Sequence, residues 1–146
     1  MDVNHKQLYK AFIGIIITGC VLILIVFVVS TPSSPFSSWK IHNSEDIYQF
    51  LSDLGWEIDQ MNVEVKNSVL PKQFDSVFEE YNQLQLQQGC NLKPFAGKEI
   101  VIYTIPITNY GNGTQKVYTT LIVHKKQIIG GDIHSADLNG FMHTLQ

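Results

Sequence analysis

Residues 11–30 read AFIGIIITGCVLILIVFVVS and contain no charged side chain. About 20 residues rising ~1.5 Å each reach roughly 30 Å, the thickness of a bilayer's hydrocarbon core. A backbone in lipid must satisfy its own hydrogen bonds, which makes such a run a helix. The stretch predicts a transmembrane helix at 11–30, after a tail at 1–10 and before a Pro/Ser-rich linker at 31–42 and a domain at 43–146. Lys6 and Lys10 precede the span, and the next basic residue is Lys40. That bias predicts a single-pass protein of the cell membrane with its N-terminus cytoplasmic and its C-terminal domain extracellular.

Other fates for the same stretch follow from its details. A cleaved signal peptide has an apolar core of about 7–15 residues. This run is longer, although Val28-Val29-Ser30 offers small residues for cleavage. Ile17-Thr18-Gly19-Cys20 matches the pattern that precedes a lipidated bacterial cysteine, yet residues 21–29 stay apolar where a lipoprotein turns polar. Gly14 and Thr18 form a small-xxx-small pair suited to packing against another helix, and a plain anchor accommodates them equally.

Lysines number 10 against 13 Asp and Glu, and there is no arginine. With Asp2, Lys6 and Lys10 of the tail set aside, the remainder is more acidic still. Nucleic acid and anionic lipid are therefore poor partners for the domain. Missing arginine weakens a phosphate or nucleotide site, and an A/T-rich coding bias explains it as well. Of two cysteines, Cys20 lies in the predicted span and Cys90 far beyond it, so no disulfide framework is expected.

Beyond the linker, Asn43-Ser44-Glu45-Asp46 reads as a helix start, a cap followed by acids. Ile47, Phe50, Leu51 and Leu54 form one apolar stripe, and Gly55 suits the stop. Residues 56–65 alternate loosely, most clearly at Met61, Val63 and Val65, and predict a strand. Pro71 predicts the first position of a second helix, with Phe74, Val77, Phe78, Tyr81 and Leu84 as its core stripe and Gly89 as its end. Three β-rich stretches follow at 100–108, 116–123 and 127–134, with tight turns at 110–114 and at Lys125-Lys126. Asn112-Gly113-Thr114 also fits a glycosylation sequon and reads here as turn chemistry. The expected fold class is α+β, with both helices packed on one face of a mostly antiparallel sheet that ends in a three-stranded meander.

Chemistry concentrates near the C-terminal end. Asp132 and His134 stand two apart on a predicted strand and so share a face. With Ser135, Asp137 or His143 nearby, a base and nucleophile or a metal pair can be drawn. Short Asp/His/Ser runs arise often by chance, and catalytic sets are recognised by geometry. Gly130-Gly131 lacks phosphate-loop spacing and suits a bulge or the close approach of a helix. No catalytic residue, metal ligand or cofactor is assigned. Gly140-Phe141-Met142-His143 reads as a segment that tucks a ring and a thioether under the sheet.

Several segments resemble one family. They run from Phe50-Leu51 and Leu54-Gly55-Trp56-Glu57 through Leu70-Pro71-Lys72-Gln73-Phe74-Asp75, Tyr81-Asn82-Gln83-Leu84-Gln85 and Gln88-Gly89. They continue with Gly97-Lys98, Tyr103-Thr104, Asn109-Tyr110, Ile129-Gly130-Gly131-Asp132-Ile133 and Gly140-Phe141-Met142-His143. In this order they resemble the membrane-anchored proteins of Gram-positive bacteria that carry domain of unknown function 4830. The resemblance implies a bacterial, envelope-facing domain and no particular activity.

The leading expectation is a displayed module that binds an envelope protein or peptide, with a free sheet edge as one docking route. Small extracytoplasmic modules of the peptidase-propeptide type offer a fold analogy. The alternative is an envelope hydrolase or metal-dependent enzyme using Asp132, His134 and His143. That alternative requires the three side chains to converge in a pocket. A histidine-based sensor of pH or small ligands is the third reading.

Overall fold

Asn43 starts the first helix for a local reason. In the computed structural model its side chain accepts from the Asp46 amide at 3.1 Å, and Asp46 Oδ2 accepts from the Asn43 amide at 3.2 Å. This reciprocal capping satisfies donors that a helix start leaves orphaned. The structure describes residues 36, 38–111, 116–137 and 140–146. The tail at 1–10, the predicted span at 11–30 and Asn112-Gly113-Thr114 lie outside them. Among the described residues no helix is long and apolar enough to cross a membrane.

Helix α1 spans Ser44–Asp53 and buries Ile47, Phe50 and Leu51. It stops where expected. Gly55 takes φ 88°, and the Gly55 and Trp56 amides donate to the Ser52 and Leu51 carbonyls at 2.9 Å each, the usual left-handed cap. Packing reaches back before the helix. The Phe36 and Trp39 rings meet Phe50 edge-on at 5.2 and 5.4 Å.

The strand expected at 56–65 falls later, as β1, Glu64–Val69. Ile58 makes only an isolated bridge to Ile107. Asp59 accounts for the difference: its carboxylate accepts from the Met61 amide at 2.9 Å and the Asn62 side chain at 2.6 Å. A local turn of this kind competes with the ladder, and it leaves Met61 91% exposed.

The second helix, α2, spans Ser76–Gln87 and starts from Asp75, not Pro71. Asp75 Oδ1 accepts from the Phe78 amide at 2.8 Å. The residue before a proline is held extended, and here Leu70 pairs through its amide and carbonyl with Lys98 and Gly97 at 3.0 and 2.9 Å. Gly89 ends the helix region with φ 76°.

The remaining strands are β2 (Glu99–Ile107), β3 (Val117–His124), β4 (Gln127–Ser135) and β5 (Met142–His143). All five strands pair antiparallel in chain order, β1-β2-β3-β4-β5. The expected meander is therefore longer by a strand at each end. Between β3 and β4, Lys125 and Lys126 take φ 47° and 69°, the left-handed pair a two-residue hairpin needs.

Successive side chains of a strand point to opposite faces, and two hydrophobic clusters divide accordingly. Val101, Tyr103, Ile105 and Ile107 join α1's Ile47, Phe50 and Leu51. Ile100 and Ile102 join Ile122, Ile129 and Leu92, with Phe74, Phe78 and Tyr81 beside them. The two helices thus cover opposite faces of the sheet, not the same face. A meander without long crossovers leaves both faces to be covered, and each helix carries an apolar stripe to one of them.

Candidate functional site

The site is on the α2 face. An open groove of about 420 Å³ runs between α2 and the sheet. Val77, Phe78 and Tyr81 form its helix wall, and Ile102, Ile122 and Met142 are among the strand residues that line it. Val77 is 70% exposed and Met142 51%. Both were expected in the core. The apolar stripe of α2 rolls toward solvent because Asn82 and Gln85 occupy the buried side.

That polar inner side has a structural cause. Apart from the two residues paired by β5 and an isolated bridge from Lys40 to Gln127, the outer edge of β4 has no strand beside it among the described residues. Glutamine amides stand in for one. Gln85 Oε1 accepts from the Gly131 amide at 2.9 Å, and Gln88 Nε2 donates to the Gly131 carbonyl at 2.7 Å and to Gln85 Oε1 at 2.8 Å. Gln88 Oε1 takes the Leu145 amide at 3.0 Å, while the Trp56 indole donates to the Leu145 carbonyl at 2.8 Å. Asn82 Oδ1 accepts from the Leu92 amide at 2.7 Å. Pairing is what makes buried amide oxygens of this kind tolerable, while Gln85 Nε2 is buried with no hydrogen-bond partner among the described residues.

Gly130 makes the approach of Gln85 possible, and Gly131 leaves room for the β3 backbone and for Leu121 and Leu145 on the other face. A Cβ on Gly130 would lie 2.7 Å from Gln85 Oε1, and one on Gly131 would lie 2.5 Å from the Thr120 carbonyl. The register between β3 and β4 shifts at Ile122/Val123, so the expected bulge is present as well.

Asp132 and His134 share the groove face, as their spacing requires. Asp132 is 2% exposed. Its Oδ1 lies 2.7 Å from His134 Nδ1, and its Oδ2 accepts from the Tyr81 hydroxyl at 2.6 Å. A carboxylate only accepts, so Nδ1 is the protonated ring nitrogen and Nε2 is free for another group. Burial, and then the charge of Asp132, push the Tyr81 phenol well above its ordinary range. Tyr81 therefore stays a donor at physiological pH. Tyr118 stacks on the His134 ring with centroids 5.9 Å apart, and Met142 lies directly across from His134 on β5.

His143 does not join them. It pairs with Ile133, which places it on the α1 face. Its Nε2 lies 3.1 Å from the Tyr110 hydroxyl and its Nδ1 2.6 Å from the Thr144 carbonyl, and it stacks against Phe141. Ser135 also faces that side, with Oγ accepting from the Phe141 amide at 3.3 Å. Asp137 uses its carbonyl to hold the Gly140 amide at 2.9 Å. Among the described residues, no group of three or more His, Cys, Asp and Glu side chains could hold a metal ion. Cys90 is fully buried.

Tyr81 escaped the sequence reading as a site residue. It lies 51 residues from Asp132, and as one ring in an apolar stripe it carries no local signal of its role.

These features define a class: a five-stranded antiparallel meander with one helix on each face and an open, mainly apolar groove under the second helix. The family model for a domain of unknown function, DUF4830, matches residues 50–133. More than half of the chain lies in that match, and the chain belongs to this family. No curated protein and no solved structure matches it.

Proposed function

We propose that the chain is a single-pass membrane protein that displays this domain outside the cell, where the groove receives an apolar group of an envelope peptide or protein. Support for the anchor is compositional: the uncharged run at 11–30 and the lysines before it. Support for binding is the groove itself. Its volume lies within the usual range for ligand sites, about 300–1,000 Å³, and its apolar walls with a few converging polar groups match their usual make-up. The observation that carries the reading is the exposure of Val77 and Met142 at 70% and 51% on the rim of a groove floored by buried Asp132.

In this reading the apolar walls supply affinity and His134 supplies orientation. Asp132 holds the imidazole, and Nε2 accepts a hydrogen bond from the incoming group. Tyr81 holds Asp132 in turn.

The enzymatic alternative is carried by the same 2.7 Å Asp132–His134 contact. It retains those two residues and omits His143.

The test uses the full chain in intact cells, with a photo-crosslinking amino acid at Val77 and, as control, at Ser52. Protease added outside the cells is expected to remove the domain. Crosslinking at Val77 is expected to capture one discrete partner that Ser52 does not. A domain protected from protease until lysis overturns the display, and equal capture at both positions overturns the groove.

A further inference from the structure

The two edges of the sheet are treated differently. The β4 edge is covered by β5, by Gln85 and Gln88, and by the Leu145 backbone held between Gln88 and Trp56. The β1 edge is bare. Its inner side pairs with β2 over all six residues, and among the described residues nothing hydrogen-bonds to its outer side. Val65 and Val69, on the same face of β1, are 55% and 56% exposed. A bare edge with exposed apolar side chains is a template for another strand.

We infer that the occupant is a second copy of this chain, paired antiparallel through β1 about a two-fold axis at Asn67. Register selects that centre. A two-fold axis normal to the sheet keeps corresponding faces together, so each residue must meet one of its own parity. Centring at Val65 pairs only residues 64–66 of the strand. Centring at Lys66 pairs 64–68 but sets Lys66 against its own copy, and like charges directly opposite are unfavourable. Centring at Asn67 pairs residues 65–69 with no opposed charges. It sets Val65 against Val69 twice, Lys66 against Ser68 twice, and Asn67 against itself. Only this register covers both exposed valines with each other.

The pairing also bears on the groove. Ser68 and Val69 line its β1 end. In the dimer, Lys66 of the second copy stands opposite Ser68 and adds a cation to that rim. The two grooves then lie on one face of a ten-stranded sheet. A strand pair this short buries little area, so the dimer is weak and concentration-dependent.

The test is disulfide trapping of the full chain, purified in mild detergent with Cys20→Ser. Cys90 is buried and out of reach. Directly opposed residues have Cβ atoms about 4.5–5.5 Å apart, close enough for a disulfide after a small shift. Asn67→Cys is expected to form dimers at least tenfold faster than Ser52→Cys, an exposed control on α1. Adding Val65→Lys with Val69→Lys, which opposes like charges, should slow trapping to the control rate. Adding Val65→Lys with Val69→Glu, which opposes unlike charges, should restore it. Both valines are more than half exposed, so an unchanged melting temperature is expected in each variant.

Trapping of Asn67→Cys no faster than the control overturns the inference, as does failure of the Lys/Glu pair to restore it. In cells, an adduct whose mass is not twice that of the chain would place another protein's strand on β1 and also overturn it. Groove capture at Val77 is scored independently, so a failed dimer leaves that reading standing.

Discussion

On one face of the sheet, α1 closes completely. Ile47, Phe50, Leu51, Leu121, Ile128 and Ile133 are all within 1% of full burial, and Phe36, Trp39 and Trp56 seal the margins. On the other face, α2 stands on glutamine and asparagine and leaves a groove. The closed face is built mainly from apolar contacts, with Thr119 buried among them. The α2 face must also satisfy the outer edge of β4, and the amides that do so displace apolar residues outward. Stability therefore concentrates on one face and accessible chemistry on the other.

The largest expected effect is on the closed face. Phe50→Ala removes a ring that is 1% exposed and touches two others. Such deletions cost about 3–5 kcal/mol, a large share of the ~5–15 kcal/mol that holds a typical domain. Urea unfolding of the variant should show a collapsed midpoint. A cost under about 1 kcal/mol would mean the closed face is not the stabilising one.

Tyr81→Phe tests the groove floor. It removes the donor to a buried carboxylate, a bond worth about 1.5–3 kcal/mol. Its pH dependence has a definite sign. The Tyr81 pKa is raised in the folded protein, so the neutral phenol is favoured by folding. Its contribution is complete below the unfolded tyrosine value of about 10 and declines as pH rises from there through the folded value. Wild type should therefore lose stability more steeply than Tyr81→Phe above about pH 10. Parallel pH curves would remove the Tyr81–Asp132 bond from the account.

Gln85→Ala should cost about 1–3 kcal/mol, because the Gly131 amide loses its acceptor in a buried position. Hydrogen exchange should show that amide losing protection ahead of the β3 amides. Unchanged protection at Gly131 would show that Gln85 is not the edge cover. The smallest effect belongs to the open face. Val77→Asp should shift stability by no more than about 0.5 kcal/mol while abolishing capture of an apolar group in the groove. A strongly destabilised Val77→Asp would break the contrast between the faces.

Much of this was readable in the residues. The Asn43 to Asp46 cap, the stop at Gly55, the hairpin at Lys125-Lys126 and the shared face of Asp132 and His134 all depend on neighbours a few positions away. β1 was not readable, because an edge strand exposed on both faces shows no alternation: five of its six residues are exposed. The start of α2 was misplaced because Pro71 and Asp75 both suit a helix beginning, and the pairing of Leu70 with Gly97 and Lys98 decides between them.

The sequence alone determined the capped first helix, the three central strands and the side of the sheet that Asp132 and His134 share. It also contains the uncharged run on which the membrane proposal rests. Tertiary structure alone decided that the helices take opposite faces, that Tyr81 meets Asp132, and that His143 turns away. Local patterns follow from periods of two and 3.6 residues and from caps. The other features depend on contacts between residues dozens of positions apart, where a single side chain carries no mark of its partner.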